Sequence, residues 1–391
     1  MLDVVVIGEY GIRSLGDEAM LHVLAKGLHD RLGKVSITPI SRLAMLPFNG
    51  DAHTDTMARL DDAMAECRDG MFRTFAGDPG QIASLNLQWG TAGDGLVWDM
   101  LERADLVLVG GGGLFIDINT SFALGPSSFF AFAIHAAYVL RKPIVLFSVS
   151  LGPLTHDWSH KLVAGALAEC TAVIVRDRAS QDLARELGCE AVLLPDLAMG
   201  LEPVGDVKLE NDYFAVAPKW LNLGSGYDAW AERLIDIVGR IGEATGLTPL
   251  LIPHCQFPRQ PVDNDMTLCQ EVLTRLGGDT SIVKGPGSLV PEIVLGLYRQ
   301  CQAALTVRLH GAVFAAAAGV PHVALDYWPK VRGFCDWTGS PCLDVDDDGI
   351  VDAFLDVWQR RDEERGRLQA RVAEMRAMIP RYWDVIEEAI G

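Results

Sequence analysis

Short apolar runs recur along this chain, each about a strand long, with stretches of helical spacing between them. In the first half they fall at residues 3–7, 106–109, 144–149, 172–175 and 191–194. In the second half they fall at 213–217, 249–252, 281–283, 303–307 and 322–326. Val, Ile and Leu dominate these runs, and few show the alternation of a half-exposed strand. That pattern belongs to strands covered on both faces. Helical patterns over 17–32, 129–140, 179–187, 227–245 and 311–318 stand between them. Strand and helix in alternation predict parallel, doubly wound sheets.

A looser stretch, 195–212, carries Pro203, Gly205 and many acids and divides the chain. The expected organisation is an N-terminal Rossmann-like domain over 1–200 and a C-terminal one over 210–345. Residues 346–391 are expected to form helices packing back on both. Within that last segment, 349–390 is charged and amphipathic and predicts one or two helices. Residues 50–100 hold a helix-like run over 57–67 and a Gly/Asp-rich loop, an insertion or a flap. The fold class is α/β: two Rossmann-like doubly wound domains facing a central cleft, with room for a donor on one side and an acceptor on the other.

Composition narrows the functional classes. The 391 residues include 52 acids against 33 Lys and Arg, a net charge of −19 with no basic block. This argues against nucleic acid as a partner and against a basic membrane-docking face. The eight cysteines are scattered with no CxxC pair, which favours a reduced, cytoplasmic setting, with a peripheral place at the inner membrane face left open. The nine histidines show no metal-ligand spacing, so no metal is expected. The longest apolar run, 129–140, contains His135 and is too short to span a bilayer. The chain begins directly with a strand, so no signal peptide is expected.

Candidate chemistry gathers at strand ends. Ala304 to Gly311 ends an apolar strand with Arg308 and His310, and a helix of small residues follows. Such a position points into the crevice where open α/β sheets bind ligands, and a helix start favours an anion. Arg176, in Val175-Arg176-Asp177-Arg178, occupies a comparable strand end; it suits a phosphate or carboxylate, or a structural ion pair with a nearby acid. Gly110 to Gly113 could expose backbone N–H groups to an anion, Gly112 and Gly113 foremost, or could permit close packing of chain on chain. In the loop Gly8 to Glu18, Asp17 and Glu18 are either helix-capping acids or acceptors for sugar hydroxyls. This loop is not GxGxxG, so a dinucleotide is not indicated.

Taken in order, these motifs resemble the polysaccharide pyruvyl transferases. The matching pieces are the Gly-Tyr-Gly to Leu-Gly-Asp-Glu loop, the four glycines, Val175 to Ser180 and Leu194-Pro195-Asp196. In the second half they are Leu251-Ile252-Pro253-His254 followed by Asp265, Arg308-Leu309-His310-Gly311, Gly319-Val320-Pro321 and Tyr327-Trp328-Pro329-Lys330. They span residues 4 to about 335. Ser14 departs from the pattern: two residues before Gly16 the family usually carries Asn. If that Asn touches the acceptor, the acceptor differs here.

The resemblance implies a fold like that of the GT-B glycosyltransferases. It also implies transfer of pyruvate from phosphoenolpyruvate onto two saccharide hydroxyls, as a ketal, with phosphate released. Phosphoenolpyruvate would be a co-substrate, and no cofactor is called for. Arg176, Arg308 and Lys330 would meet the donor's charge, and His310 would move a proton. Asp17, Glu18 and His254 would face the acceptor, whether lipid-linked, nucleotide-linked or free. Two other readings use the same pattern: a GT-B glycosyltransferase acting on a nucleotide sugar, and a non-catalytic sugar- or anion-binding protein.

Overall fold

The computed structural model describes residues 1–41, 86–87, 96–117, 126–204, 209, 212–224, 226–257, 264–284 and 286–391. The helix expected over 57–67 and most of the 50–100 stretch, Cys67 included, lie outside the described residues. Contacts divide the chain into two compact units. The first is Met1–Gly11, Met20–Leu197 and Met378–Gly391; the second is Ile12–Ala19 and Ala198–Ala377. The division is thus not purely sequential: eight residues, from the first loop and the start of the first helix, count with the second unit, and the chain's end counts with the first.

The first unit holds β1 (Leu2–Gly8), most of α1 (Leu15–Leu32), β2 (Val35–Ser41), β3 (Asn86–Leu87), α2 (Leu96–Arg103) and β4 (Leu106–Phe115). Then come α3 (Pro126–Val139), β5 (Ile144–Leu151), α4 (Asp157–Glu169), β6 (Ala172–Val175), α5 (Arg178–Glu186) and β7 (Val192–Leu193). Seven strands form one parallel sheet in the order β3-β2-β1-β4-β5-β6-β7. Every residue of β5 is buried, as its unbroken apolar sequence requires. Strand β2 was not foreseen. Its sequence Val-Ser-Ile-Thr-Pro-Ile-Ser alternates polar residues, yet all seven are buried.

Strand β4 runs longer than its apolar stretch predicts, because Gly110 to Gly113 continue it instead of forming a loop. Gly110 pairs with Phe147 and Gly112 with Val149 on β5. Gly111 and Gly112 have φ of 71° and 110°, a backbone region that other residues rarely enter. A Cβ on Gly110 would collide with the Phe147 carbonyl. Conformation and close packing therefore account for at least three of the four glycines.

The second unit holds β8 (Tyr213–Ala217), α6 (Tyr227–Thr245), β9 (Thr248–Leu251), α7 (Asp265–Leu276), β10 (Ser281–Ile282), α8 (Pro291–Tyr298), β11 (Cys301–Thr306), α9 (Leu309–Ala317) and β12 (His322–Asp326). It continues with α10 (Pro329–Thr338), β13 (Cys342–Asp344), α11 (Ile350–Gln359) and α12 (Arg361–Met378), which ends one residue past the unit's boundary. Its six strands are parallel in the order β10-β9-β8-β11-β12-β13. Helix α6 shows how the sequence encodes this layer. Trp230, Ala231, Leu234, Ile235, Ile237, Val238 and Ile241 form one buried stripe. Each large member contributes about 1.5–3 kcal/mol on burial. Gly246, left-handed at φ 72°, then ends the helix.

The C-terminal stretch makes three helices where one or two were expected, the third being α13 (Pro380–Ile390). Helix α13 packs in the first unit. Buried Tyr382 donates its hydroxyl hydrogen to the Pro195 carbonyl at 2.9 Å, and Arg31 of α1 pairs with Asp384 at 2.6 Å and with Glu387 at 3.0 Å.

Candidate functional site

Both sheets reverse their strand order in the middle, and open α/β sheets bind ligands at that reversal, beyond the carboxyl ends of the strands. In the second unit the reversal lies between β8 and β11. Arg308 and His310 follow β11 directly. Helix α9 begins at Leu309, two residues earlier than its small-residue pattern suggests, so His310 sits in the first turn. Gly311 lets that turn approach β8; a Cβ there would collide with Ala217.

Arg308 is held by an acid from another element. Its Nε and Nη2 donate to Asp265 at the start of α7, Nη2 at 2.7 Å from Oδ1 and Nε at 3.0 Å from Oδ2. Asp265 is fully buried, and its Oδ2 also accepts the Cys255 N–H at 2.8 Å. Burial works against the Arg308 charge, but the Asp265 carboxylate outweighs it and raises the guanidinium pKa further. Arg308 is therefore a fixed cation.

His254 follows β9 and is 2% exposed. Its Nε2 is 2.7 Å from the Tyr298 hydroxyl, and its ring stands edge-on to Phe314 at 5.2 Å. Burial first, then the nearby His310 and Arg308, pull its pKa well below the usual imidazole value. His254, expected from the sequence at the acceptor, is thus a buried, neutral ring packed on Tyr298 and Phe314. Any effect it has passes through the residues around it.

The first loop completes this cluster. Ser14 bridges Cys255, and the Leu15 N–H donates to the His254 carbonyl at 2.8 Å. A Cβ on Gly16 would land in the His310 ring, so only glycine admits the ring in this position. Glu18 is buried and Asp17 half-buried in the first turn of α1. Lys330, half-buried, opens α10 beyond β12. A further cation was missed in the sequence: Lys219 follows β8 at the reversal, its Nζ 5.6 Å from the centre of the Tyr327 ring. Its place just past a strand is the signal that singled out Arg308.

Arg176, Gly112 and Gly113 belong to the first unit. Arg176 follows β6 and is 4% exposed. Its Nη1 donates to Asp196 at 2.7 Å and its Nε to the Ser150 hydroxyl at 2.9 Å. Ser150 donates in turn to Asp177, which caps α5 by accepting the Ser180 N–H. The ion pair that the sequence left as an alternative for Arg176 is thus formed, with Asp196 as the acid. Gly112 is buried and Gly113 half-buried. Among the described residues no group of three or more His, Cys, Asp or Glu could hold a metal ion. No described helix is long and apolar enough to cross a membrane.

The model of the polysaccharide pyruvyl transferase family matches residues 15–329. The chain belongs to that family. Membership makes this pyruvyl transferase homologue a transferase of polysaccharide biosynthesis. Similar solved structures show its fold class. Anabaena HepE with UDP and glucose has a TM-score of 0.55 at 14% identity, covering 99% of this chain and 97% of that one. S. aureus MnaA with UDP has a TM-score of 0.58 at 12% identity, covering 98% of each. The UDP-GlcNAc 2-epimerase of Neisseria meningitidis, bound to UDP-GlcNAc, has a TM-score of 0.57 at 8% identity, covering 99% of this chain and 100% of that one. At such identities the likeness is one of fold, the GT-B type of two parallel-sheet α/β domains.

Proposed function

We propose that this member of the family transfers the pyruvyl group of phosphoenolpyruvate to two hydroxyls of a saccharide acceptor and releases phosphate. The observation that carries the reading is the pair Arg308 and His310 at the strand-order reversal of the second unit, the one fixed by Asp265 and the other seated on Gly16. Phosphoenolpyruvate brings a carboxylate and a phosphate, and a cation fixed in advance meets such charge without reorganising. Lys330 and Lys219, in the same unit, are the other cations assigned to it.

The reaction needs a proton on the methylene carbon, which turns C=CH2 into C–CH3 and leaves an oxocarbenium centre. One hydroxyl oxygen attacks that centre and loses its proton. The phosphate leaves with the electrons of its C–O bond, and the second hydroxyl closes the ketal. Of the two hydroxyl protons, the balance places one on the methyl group and one on phosphate. His310 is assigned the first delivery, because an imidazole can both carry and release a proton and this one stands beside the fixed Arg308 cation.

A second reading, sugar transfer from a nucleotide sugar, is favoured by the UDP found in the similar structures. The test is a donor screen against a panel of p-nitrophenyl hexopyranosides. Phosphate release with phosphoenolpyruvate supports pyruvyl transfer. UDP release from UDP-sugars, with phosphoenolpyruvate neither bound nor consumed, overturns it. The cytoplasmic setting is part of this proposal, since the reduced thiols and phosphoenolpyruvate both belong there.

A further inference from the structure

Phosphoenolpyruvate is met by charge, whereas a sugar ring also calls for an apolar face. Between the end of β8 and the start of α6 the chain carries Trp220, Leu223 and Tyr227. Leu223 is 39% and Tyr227 40% exposed, and Trp220 is half-buried. Trp220 packs against the buried core, and Tyr227 stands edge-on to it, ring centres 6.2 Å apart at 84°. These residues belong to the second unit, as do Arg308 and His310.

Two hydrogen bonds fix this aromatic shelf. The Trp220 Nε1–H donates to the Thr267 hydroxyl, in the first turn of α7, at 2.9 Å. One residue earlier, the Lys219 carbonyl accepts the Nε1–H of buried Trp230 at 2.7 Å. The same two elements hold Arg308. Asp265 opens the α7 turn that contains Thr267, and the Ala217 carbonyl at the end of β8 accepts the Val307 and Arg308 N–H groups at 2.9 and 3.3 Å. Trp220 lies three residues past Ala217, at most about 10 Å of chain. A donor at Arg308 and one sugar ring beside it cover such a span. With Nε1–H given to Thr267, the open part of the indole offers only carbon, as does Leu223. Exposed Asn222 accepts the Gly224 N–H on Oδ1 at 3.1 Å and offers its amide N–H groups as donors. An apolar face edged by a hydrogen-bonding amide matches a pyranose, which carries C–H groups on its faces and hydroxyls around its rim.

We propose that Trp220, with Tyr227 and Leu223, is the platform on which the acceptor's hexopyranose ring lies, with Asn222 donating to one of its hydroxyls. The platform binds and orients and takes no part in bond making. This deepens the pyruvyl-transfer reading and rests on it: a ketal closes only if two hydroxyls stay at the donor through both attacks. A ring stacked on a fixed surface presents the same pair each time.

The test uses the full chain with phosphoenolpyruvate and two probe sets, methyl and p-nitrophenyl hexopyranosides, which separate a sugar face from an aromatic aglycone. Trp220→Ala should raise the acceptor KM about tenfold with either set, lower kcat far less, and leave the KM for phosphoenolpyruvate unchanged. Tyr227→Ala, at an exposed site, should raise the acceptor KM too and melt with the wild type; it carries the comparison if Trp220→Ala fails to fold. Trp220→Phe keeps a ring and should stay within about threefold of wild type. Binding is read apart from turnover by tryptophan fluorescence. A saturating methyl hexopyranoside should shift the emission of the wild type and not that of Trp220→Phe. An acceptor KM within about twofold of wild type in folded Trp220→Ala, or an equal rise in the KM for phosphoenolpyruvate, overturns the proposal and leaves pyruvyl transfer standing. An effect confined to the p-nitrophenyl set also overturns it, since the shelf then stacks a planar ring such as a nucleobase. No phosphate from the wild type with any acceptor sinks the pyruvyl-transfer reading; the fluorescence shift, which needs no turnover, then supports the platform by its presence and overturns it by its absence.

Discussion

Replacing Arg176 separates a structural role from a donor-binding one. Arg176 and Asp196 are 3% and 2% exposed in their side chains, 2.7 Å apart. Removing one member of a buried, hydrogen-bonded pair leaves the other charge without its counter-ion, which costs about 3–5 kcal/mol. For a unit of roughly 200 residues, each kcal/mol lowers Tm by about 2–4 °C, so Arg176→Met should melt about 6–20 °C earlier. Asp196→Asn should behave alike. The double variant has no orphaned charge and should recover much of the loss, with a coupling energy of at least about 2 kcal/mol. The assay is thermal and urea unfolding of the three variants beside the wild type, followed by phosphoenolpyruvate binding on the folded double variant. Single variants within about 1 kcal/mol of wild type, or costs that simply add, would refute the account of the pair. If the stable double variant binds phosphoenolpyruvate normally, Arg176 is structural; if it has lost the donor, Arg176 serves both ends.

The remaining predictions concern the second unit. His310→Asn should keep its Tm and lose about 10²-fold in turnover, whereas Gly16→Ala should lower turnover by displacing the His310 ring while leaving the Asp265–Arg308 pair in place. A variant His310→Asn that melts much earlier yet turns over normally per folded molecule would make His310 structural. His322, 1% exposed on β12, has its pKa pushed down to about 4 by burial. The unfolded chain protonates it near 6.5 and the folded one only near 4, so its contribution is complete above pH 6.5 and is lost as pH falls toward 4. That contribution is about 3 kcal/mol. His322→Leu should therefore lose less stability than the wild type between pH 7 and pH 4.5 in urea titrations; parallel losses would contradict this.

Much of the fold was legible because buried parallel strands are written as unbroken apolar runs. The boundaries of β8, β12 and α6 agree with their sequence patterns to the residue. Strand β2 escaped because its buried Ser36, Thr38 and Ser41 read as a polar segment. The glycine run left two readings open, since a stretch without side chains looks the same as an anion-binding loop or as a strand packed against Phe147. In the candidate site, Arg308 and His310 were found by position alone, just past a strand. Asp265 stood among the motif residues, but its pairing with Arg308 was not legible, because the two lie 43 residues apart and only folding joins them. The same holds for Asp196 with Arg176.

The central claim is a proton delivered to the methylene carbon of phosphoenolpyruvate as its pyruvyl group becomes a ketal. The most direct measurement is an NMR spectrum of the product made in D2O from donor carbon-13 labelled at that methylene. The account predicts a ketal methyl carrying one deuterium and one phosphate released per ketal. Unchanged phosphoenolpyruvate beside UDP released from a UDP-sugar would contradict it.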